Sequence, residues 1–235
     1  MDKKAVIVLS GGLDSTTCMG IAKAEGYELY PITFFYSQRH NREVEQAKKI
    51  AAHYGVQDRH KIVDVNFLGD IGGSSLTDRT LEVRTGGVKQ DIPDTYVPAR
   101  NLIFLSLATA YAEVIGARHI YTGVSAVDYS GYPDCRPEFI RSLNKTVNLA
   151  TKMGVSSEQK IHIETPLLHL SKAETIRRGL ELHVPYELTT SCYLGEEEAC
   201  GECDSCLLRL KGFKENNRVD PVPYKKIPPQ LDVRN

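Results

Sequence analysis

A turn near the N-terminus carries residues suited to binding an anion. It reads Leu9-Ser10-Gly11-Gly12-Leu13-Asp14-Ser15-Thr16-Thr17 and continues an apolar run over residues 5–9. Paired glycines let the backbone turn sharply and approach a ligand closely. The amides of the turn and of a following helix then point at the anion, and Ser10 and Ser15 add hydroxyl donors. The full motif, placed between a strand and a helix, favours a phosphate-binding loop over an ordinary glycine turn. It is not a Walker loop, because it contains no lysine.

A cluster of cysteines near the C-terminus has the spacing of a metal site. The chain has six cysteines, and the cluster comprises Cys192, Cys200, Cys203 and Cys206. Four thiolates suit a tetrahedral zinc ion and fill its coordination shell, which predicts a structural zinc with no open catalytic position. Free buried cysteines, a redox pair or an iron–sulfur cluster remain as alternatives, although the spacing matches none of the common ferredoxin patterns. Cys18 is interpreted as a packed residue, and Cys135 falls in a polar loop.

Strand and helix patterns alternate along the chain and must position these residues. Strands are predicted over residues 5–9, 30–35, 60–65, 119–124 and 161–164, and helices over 42–54, 102–115, 137–151, 171–182 and 204–214. This alternation predicts an α/β fold with a parallel sheet covered on both faces. Ligands of such sheets bind at the carboxyl ends of the strands, which is where the glycine turn falls.

The chain divides into three predicted regions. Residues 1–185 form a nucleotide-binding α/β domain, residues 186–218 a small helical cysteine region, and residues 219–235 a proline-rich tail. The tail is expected to be extended, either packed on a partner subunit or free. Residues 66–99 break the rhythm, so they are either a lid or binding loop or a disordered insertion.

Composition limits the possible partners. The 235 residues are 41% hydrophobic and 25% charged, as is ordinary for a globular protein, and the net charge is −1. This charge argues against a large nucleic-acid surface, which needs clustered lysine and arginine. No apolar stretch approaches the length of a membrane span, and the charged N-terminus lacks the shape of a signal peptide. We expect a cytoplasmic protein with no nucleic-acid or membrane partner.

Several segments, taken together, resemble the 7-cyano-7-deazaguanine synthases of queuosine precursor biosynthesis, a branch of the ATP pyrophosphatases with the adenine-nucleotide α-hydrolase-like (PP-loop) fold. The resemblance covers residues 5 to about 215 in order. The matching segments are the turn 10–17, Tyr36-Ser37-Gln38-Arg39-His40, Tyr96-Val97-Pro98-Ala99-Arg100-Asn101, the segment 128–137, Pro166-Leu167 with 171–176, and the cysteine cluster. The turn alone marks only the superfamily, whereas the segment 128–137 together with the cysteines is far more specific.

The resemblance implies an ATP-dependent ligase that converts 7-carboxy-7-deazaguanine and ammonia to 7-cyano-7-deazaguanine. Adenylation makes a carboxylate oxygen a good leaving group, so that ammonia can form an amide. The same activation of the amide oxygen then permits loss of water to a nitrile. Both steps require a site that binds pyrophosphate and neutralises developing charge. The implied partners are ATP with Mg²⁺, the two substrates and a second copy of the chain in a homodimer.

Roles for individual residues follow from that resemblance. Residues 9–17 bind the ATP phosphates, and Asp14 orients the loop or helps to hold Mg²⁺. Lys172, beside the capping box of Ser171 and Glu174, reaches phosphate, unless it is a solvated helix lysine. Arg100 opens a buried helix and is predicted to be catalytic, unless it pairs with a structural carboxylate.

The remaining predicted site residues would contact the heterocycle. Its ring donors suit a carboxylate, its flat face suits tyrosine stacking, and its carboxylate suits a bidentate arginine. A plain β-turn is the alternative interpretation of the segment 128–137, and a surface position is the alternative for His40. The predicted substrate residues are Gln38, Arg39, His40, Asn101, Asp128, Tyr129, Tyr132, Asp134 and Arg136.

Two rival functions remain open. One is a tRNA-modifying ligase of the same superfamily, although the four cysteines are assigned to metal and no added RNA-binding domain is evident. The other is a zinc-dependent nucleic-acid-binding module. That function would require clustered positive charge near the cysteines, whereas Glu196, Glu197 and Glu198 precede Cys200.

Overall fold

A parallel sheet forms the centre of the molecule. The computed structural model describes residues 3–36, 42–78, 80–81, 92–127, 131–156 and 160–234. Within these residues the strands are β1 (Lys4–Val8), β2 (Glu28–Phe35), β3 (Lys61–Asp64), β4 (His119–Tyr121) and β5 (His162–Glu164). They form one five-stranded sheet in the order β3-β2-β1-β4-β5, and every neighbouring pair is parallel. The predicted α/β fold class is therefore confirmed.

Helices cover both faces of the sheet. They are α1 (Leu13–Ala24), α2 (Arg42–His53), α3 (Phe67–Ile71), α4 (Arg100–Ile115), α5 (Pro137–Ala150), α6 (Lys152–Ser156), α7 (Lys172–Glu181) and α8 (Asp204–Glu215). Side chains alternate between the two faces of a strand. On β1, Val6 belongs to the cluster that contains Leu105 of α4, whereas Ile7 belongs to the cluster that contains Met19 of α1 and Ile50 of α2. The central strand is thus buried from both sides, as its continuous apolar run predicts.

The largest departure from the predicted elements is at the end of β4. The strand was predicted to continue to Val124, but it ends at Tyr121. A Cβ atom at Gly123 would lie 2.9 Å from the backbone nitrogen of Ser15. The chain after β4 therefore leaves the sheet and passes directly against the start of α1.

The segment 66–99 is packed at both of its described ends. Ser74 and Ser75 are fully buried, and the Ser75 amide donates to the Asp94 carbonyl at 2.8 Å. Residue 79 and residues 82–91 lie outside the described part of the chain, so the choice between a lid and an insertion stays a prediction for them.

The C-terminal region packs on the rest of its own chain. Gly212 of α8 lies against α7, where an added Cβ would meet the Ile176 side chain at 2.7 Å. The start of the tail contacts its own chain, since Ala199 and Tyr224 form a parallel bridge; its packing on a partner subunit stays a prediction. The division at residues 185 and 218 stays a prediction. Among the described residues, none of the helices has the length and apolar character needed to cross a membrane.

Candidate active site

A cavity of about 280 Å³ opens at the carboxyl ends of β1, β2 and β4. In this strand order the chain leaves β1 toward β2 on one side and returns to β4 on the other, so the cavity lies at the point where the winding direction changes. Its lining includes residues of the glycine loop, the start of α4 and a segment beside the cysteine cluster. The predicted phosphate loop therefore lies where ligands of such sheets bind.

The glycine loop has the geometry that its sequence predicts. Gly11 has a φ of +84°, and a Cβ there would lie 2.3 Å from the Glu43 backbone oxygen, so only glycine fits. Gly12 is the N-cap of α1 and, as a glycine, supplies no side-chain cap. The hydroxyls of Ser10 and Ser15 lie 3.0 Å apart at the two ends of the loop. The α1 amides and the positive end of its dipole are thus available to an anion in the cavity.

A charge pair links the loop to α7. The Lys172 ammonium donates to both carboxylate oxygens of Asp14, at 2.6 and 2.8 Å. The Lys172 side chain is 10% exposed and that of Asp14 31% exposed, so the alternative of a solvated helix lysine is wrong. The capping box is present, with Ser171 and Glu174 each accepting from the other's backbone amide. This box fixes the start of α7 and holds Lys172 over the loop.

The start of α4 supplies two further residues to the cavity wall. The Arg100 guanidinium donates to the Tyr36 hydroxyl at 3.0 Å, and Arg100, Asn101 and Tyr36 all line the cavity. Arg100 thus donates to the hydroxyl of another residue of the cavity wall. Arginine keeps its charge at any physiological pH, so this side chain adds a fixed positive charge opposite the glycine loop.

The predicted substrate segment is only partly on the cavity wall. Tyr132 and Cys135 line the cavity, and the Tyr132 hydroxyl lies 2.7 Å from that of Thr95. Asp134 is buried but does not line the cavity, because its carboxylate accepts from the Asn101 amide at 2.9 Å. Arg136 is exposed, occupies the N-cap position of α5 without a side-chain cap, and does not line the cavity. Predicted residues outside the described part of the chain are Gln38, Arg39, His40, Asp128 and Tyr129.

Cys135 has an environment that the sequence did not indicate. The thiol is buried and receives a hydrogen bond from the Asn101 side-chain amide at 3.3 Å. Burial, followed by the charge of Asp134, raises its pKa to about 12. The side chain is therefore a neutral thiol at physiological pH and not a ready nucleophile.

The four clustered cysteines form a compact set of sulfur atoms. All four sulfurs lie within 4.8 Å of one another, and those of Cys200 and Cys206 are 3.9 Å apart. Tetrahedral zinc with bonds of about 2.3 Å requires sulfurs about 3.8 Å apart, so the set fits a single ion. Backbone amides of Glu202 and Cys203 donate to the Cys200 sulfur.

Sequence reasoning missed a part of the wall that comes from the cysteine region. The wall segment (residues 189–193) places Thr190, Ser191, Cys192 and Tyr193 on the cavity. The Thr190 amide donates to the Gly11 carbonyl at 3.0 Å, so this segment is attached to the glycine loop itself. The only hint in the sequence was adjacency to Cys192.

An aromatic pair was missed as well. The rings of Phe34 and Phe104 stack 4.2 Å apart with an interplanar angle of 17°, and both line the cavity. Each belongs to an apolar run that predicts core packing, so nothing in the sequence separated them from ordinary core residues.

A parallel sheet with a glycine-rich loop after its central strand, opening onto a cavity at the strand ends, defines the class of adenine-nucleotide α-hydrolase-like, or PP-loop, proteins. A 4-thiouridine synthetase solved with RNA and bound ATP matches with a TM-score of 0.54 and 19% identity, covering 97% of this chain and 48% of that one. At that identity the likeness shows a shared fold alone.

The family is established by sequence. A model of the queuosine biosynthesis protein QueC matches residues 4–217, and the chain belongs to the QueC family. The 7-cyano-7-deazaguanine synthase of Oceanobacillus iheyensis is 60% identical over 222 residues, which is 94% of this chain and 98% of that protein. The synthase of Acetivibrio thermocellus is 54% identical with the same coverage. The resemblance inferred from the motifs is therefore confirmed, and the chain is an enzyme of queuosine biosynthesis.

Proposed function

We propose that this chain is an ATP-dependent ligase that converts 7-carboxy-7-deazaguanine and ammonia to 7-cyano-7-deazaguanine. The observation that carries the proposal is the start of α1, which opens onto a cavity at the strand ends and includes Asp14 on the cavity wall. The buried Lys172 pairs with that Asp14. An open helix N-terminus and a lysine together bind a polyphosphate. The names of the relatives supply the product, 7-cyano-7-deazaguanine.

Two activations at the same site account for the reaction. The substrate carboxylate attacks the α-phosphorus of ATP and expels pyrophosphate, and ammonia then displaces AMP to give an amide. The amide oxygen is adenylated in turn, and loss of AMP with protons from nitrogen leaves a nitrile. In each activation Lys172, Arg100 and the α1 amides stabilise negative charge on the phosphates. Asp14 orients Lys172, and its partly exposed carboxylate can also contribute to Mg²⁺ binding.

The substrate site is proposed at the opposite wall of the cavity. Tyr132, Asn101 and the stacked phenylalanines offer a flat apolar surface with a polar edge, which suits a fused heterocycle. The roles predicted for Asp134 and Arg136 stay part of this proposal, although neither lines the cavity in this arrangement.

We further propose that the four cysteines hold a structural zinc ion. The close spacing of the sulfurs fits one ion, whereas an iron–sulfur cluster needs room for its own iron and sulfide atoms. When bound, the metal would cross-link the wall segment to α8. Elemental analysis of the purified protein decides between zinc and iron.

The direct test is mass spectrometry of the product after incubation with ATP, Mg²⁺, ¹⁵N-ammonium and 7-carboxy-7-deazaguanine. We expect a nitrile that carries the label and requires ATP. Lys172→Met should abolish it, and Lys211→Met, at an exposed pair on α8, should not. No labelled nitrile from the wild-type protein would refute the proposal. Light scattering checks the proposed homodimer, and filter binding with RNA checks that no nucleic acid binds; localisation in the cytoplasm also stays a prediction.

A further inference from the structure

A buried arginine connects the C-terminal tail to the active-site wall. Arg209 of α8 is 2% exposed, and its Nε and Nη2 atoms donate to the two carboxylate oxygens of Asp220 at 2.7 and 2.9 Å. Nη1 donates to the hydroxyls of Thr189 and Ser191 at 2.7 and 3.2 Å, and Nη2 also donates to the Tyr186 carbonyl. All five N–H groups of the guanidinium are thus directed at partners.

The tail is attached to the cysteine cluster as well. We define the tail clamp as residues 219–226. The Tyr224 hydroxyl donates to Asp220 at 2.8 Å, and its chain pairs with Ala199, the residue before Cys200. A Cβ at Gly201 would lie 1.7 Å from the Lys226 carbonyl oxygen, so the clamp passes directly over the turn between Cys200 and Cys203. The match to the family model ends at residue 217, before the clamp begins.

We propose that Asp220 and Tyr224 of the tail clamp, acting through Arg209, position the wall segment against the glycine loop and retard loss of the metal. The path is continuous: Asp220 orients Arg209, Arg209 holds Thr189 and Ser191, and the intervening Thr190 amide binds the Gly11 carbonyl. Cys192 follows at once, so the same segment delivers a metal ligand. Arg209 and Asp220 are positioning residues, because neither lines the main cavity. The proposal rests on the proposed function for the identity of the metal and of the nucleotide.

The energetic reason is the burial of the charge pair. Without the Asp220 carboxylate, the buried Arg209 would be an uncompensated charge. Its guanidinium would then move toward solvent to be hydrated. The wall segment would then lose the donor that holds its two hydroxyls. Local opening would follow at this segment first, because it is a loop held by few hydrogen bonds and not by a regular element.

The test compares Asp220→Asn and Tyr224→Phe with two controls in the zinc-loaded, full-length protein. Tyr224→Phe removes one hydrogen bond and keeps the ring, so it remains informative if Asp220→Asn fails to fold. Asp232→Asn breaks an exposed tail pair with Arg234, and Leu143→Ala destabilises a distant part of the core. The readouts are zinc transfer to a chromophoric chelator, deuterium uptake in residues 186–191, and KM for ATP against kcat.

We expect Asp220→Asn to speed zinc transfer at least tenfold, to increase exchange at 186–191 and to raise KM for ATP more than it lowers kcat. Tyr224→Phe should show the same pattern more weakly, Asp232→Asn should match wild type, and Leu143→Ala should lower thermal stability without local exchange at 186–191. Unchanged exchange in both clamp variants, or the same local exchange in Leu143→Ala, would overturn the proposal. If wild type holds no zinc, the metal assignment fails while the exchange measurement still decides the positioning role.

Discussion

Removing one partner of the ion pair between Asp14 and Lys172 should destabilise the protein by an amount that depends on which partner is removed. At the 2.6 Å separation of Nζ and Oδ1, two unit charges attract by about 6 kcal/mol at an effective dielectric constant of about 20, and desolvation offsets most of this. Asp14→Asn leaves an ammonium whose side chain is only 10% exposed, so we expect a loss of about 2–3 kcal/mol. Lys172→Met leaves a carboxylate that is 31% exposed and that water can hydrate, so we expect about 1 kcal/mol.

Thermal and chemical denaturation of the two single variants measure these losses. For a chain of this size each kcal/mol lowers the unfolding temperature by roughly 2–4 °C, so Asp14→Asn should lose about 4–12 °C and Lys172→Met about 2–4 °C. The double variant removes both charges, and its stability should return to within about 1 kcal/mol of wild type. Turnover should fall sharply in Asp14→Asn, and it should be abolished in Lys172→Met and in the double variant, because both of those lose the cation that faces the phosphates.

The control is a pair at the surface. Glu45 and Lys48 form an exposed i,i+3 pair at 2.7 Å, with side chains 57% and 50% exposed. The same cycle of Glu45→Gln and Lys48→Met should give a coupling energy below about 0.5 kcal/mol and normal turnover. Three results would contradict this role of the pair: a larger stability loss in Lys172→Met than in Asp14→Asn, a coupling energy no larger than that of the control pair, or activity in the double variant.

Three further predictions follow from single residues. Cys203→Ser should lower zinc content and unfolding temperature together, because metal binding contributes to folding; elemental analysis and calorimetry check this, and zinc-free wild-type protein would contradict it. Gly11→Ala and Gly26→Ala both place an alanine at a positive φ, but of the two positions only Gly11 leaves no room for a Cβ. Denaturation should show a loss of unfolding free energy of about 1 kcal/mol for Gly26→Ala and of at least about 3 kcal/mol for Gly11→Ala. Equal losses would be inconsistent with the clash. Burial, followed by the charge of Asp134, raises the pKa of Cys135 to about 12, so its alkylation by iodoacetamide should be slow at pH 8 and accelerate as pH approaches 12; rapid labelling at pH 8 would argue against it.

Most of the fold could be predicted from patterns among residues that are close together in the sequence. The capping box at Ser171 and Glu174 acts between residues three apart, so the sequence shows it completely, and the structure forms it as predicted. The end of β4 was not predictable in this way. Thr122 continues to donate to the Glu164 carbonyl, but the next residue must pass the backbone of Asp14 and Ser15. That close approach is set by α1, which is far away in the sequence.

The wall segment and the tail clamp were not predictable either, because their contacts also join residues that are not neighbours in the sequence. In α8, Arg209 stands between Leu208 and Leu210, and nothing in this local sequence indicates that the arginine is buried. Its burial depends on Asp220, which follows the helix, and on Thr189 and Ser191, which precede the cysteines. A charged residue that is buried only because its partners surround it has no signature in hydrophobic periodicity.

For the segment 128–137, the structure bears on the interpretation as a turn, and the substrate role of Asp134 stays a prediction. Residues Pro133–Cys135 do form a short 3₁₀ turn, as turn-forming residues predict. The N-cap of α4 is Ala99, which has a φ of +56° and offers no side-chain cap, so the helix needs an acceptor from elsewhere. Asp134 supplies it by binding the Asn101 amide, as a carboxylate at a helix N-terminus commonly does. The turn thereby fixes the direction in which Arg100 and Asn101 enter the cavity. Asp134 was predicted to contact the substrate, but in the structure it binds a residue that lines the cavity. Only this contact between distant parts of the sequence shows that role.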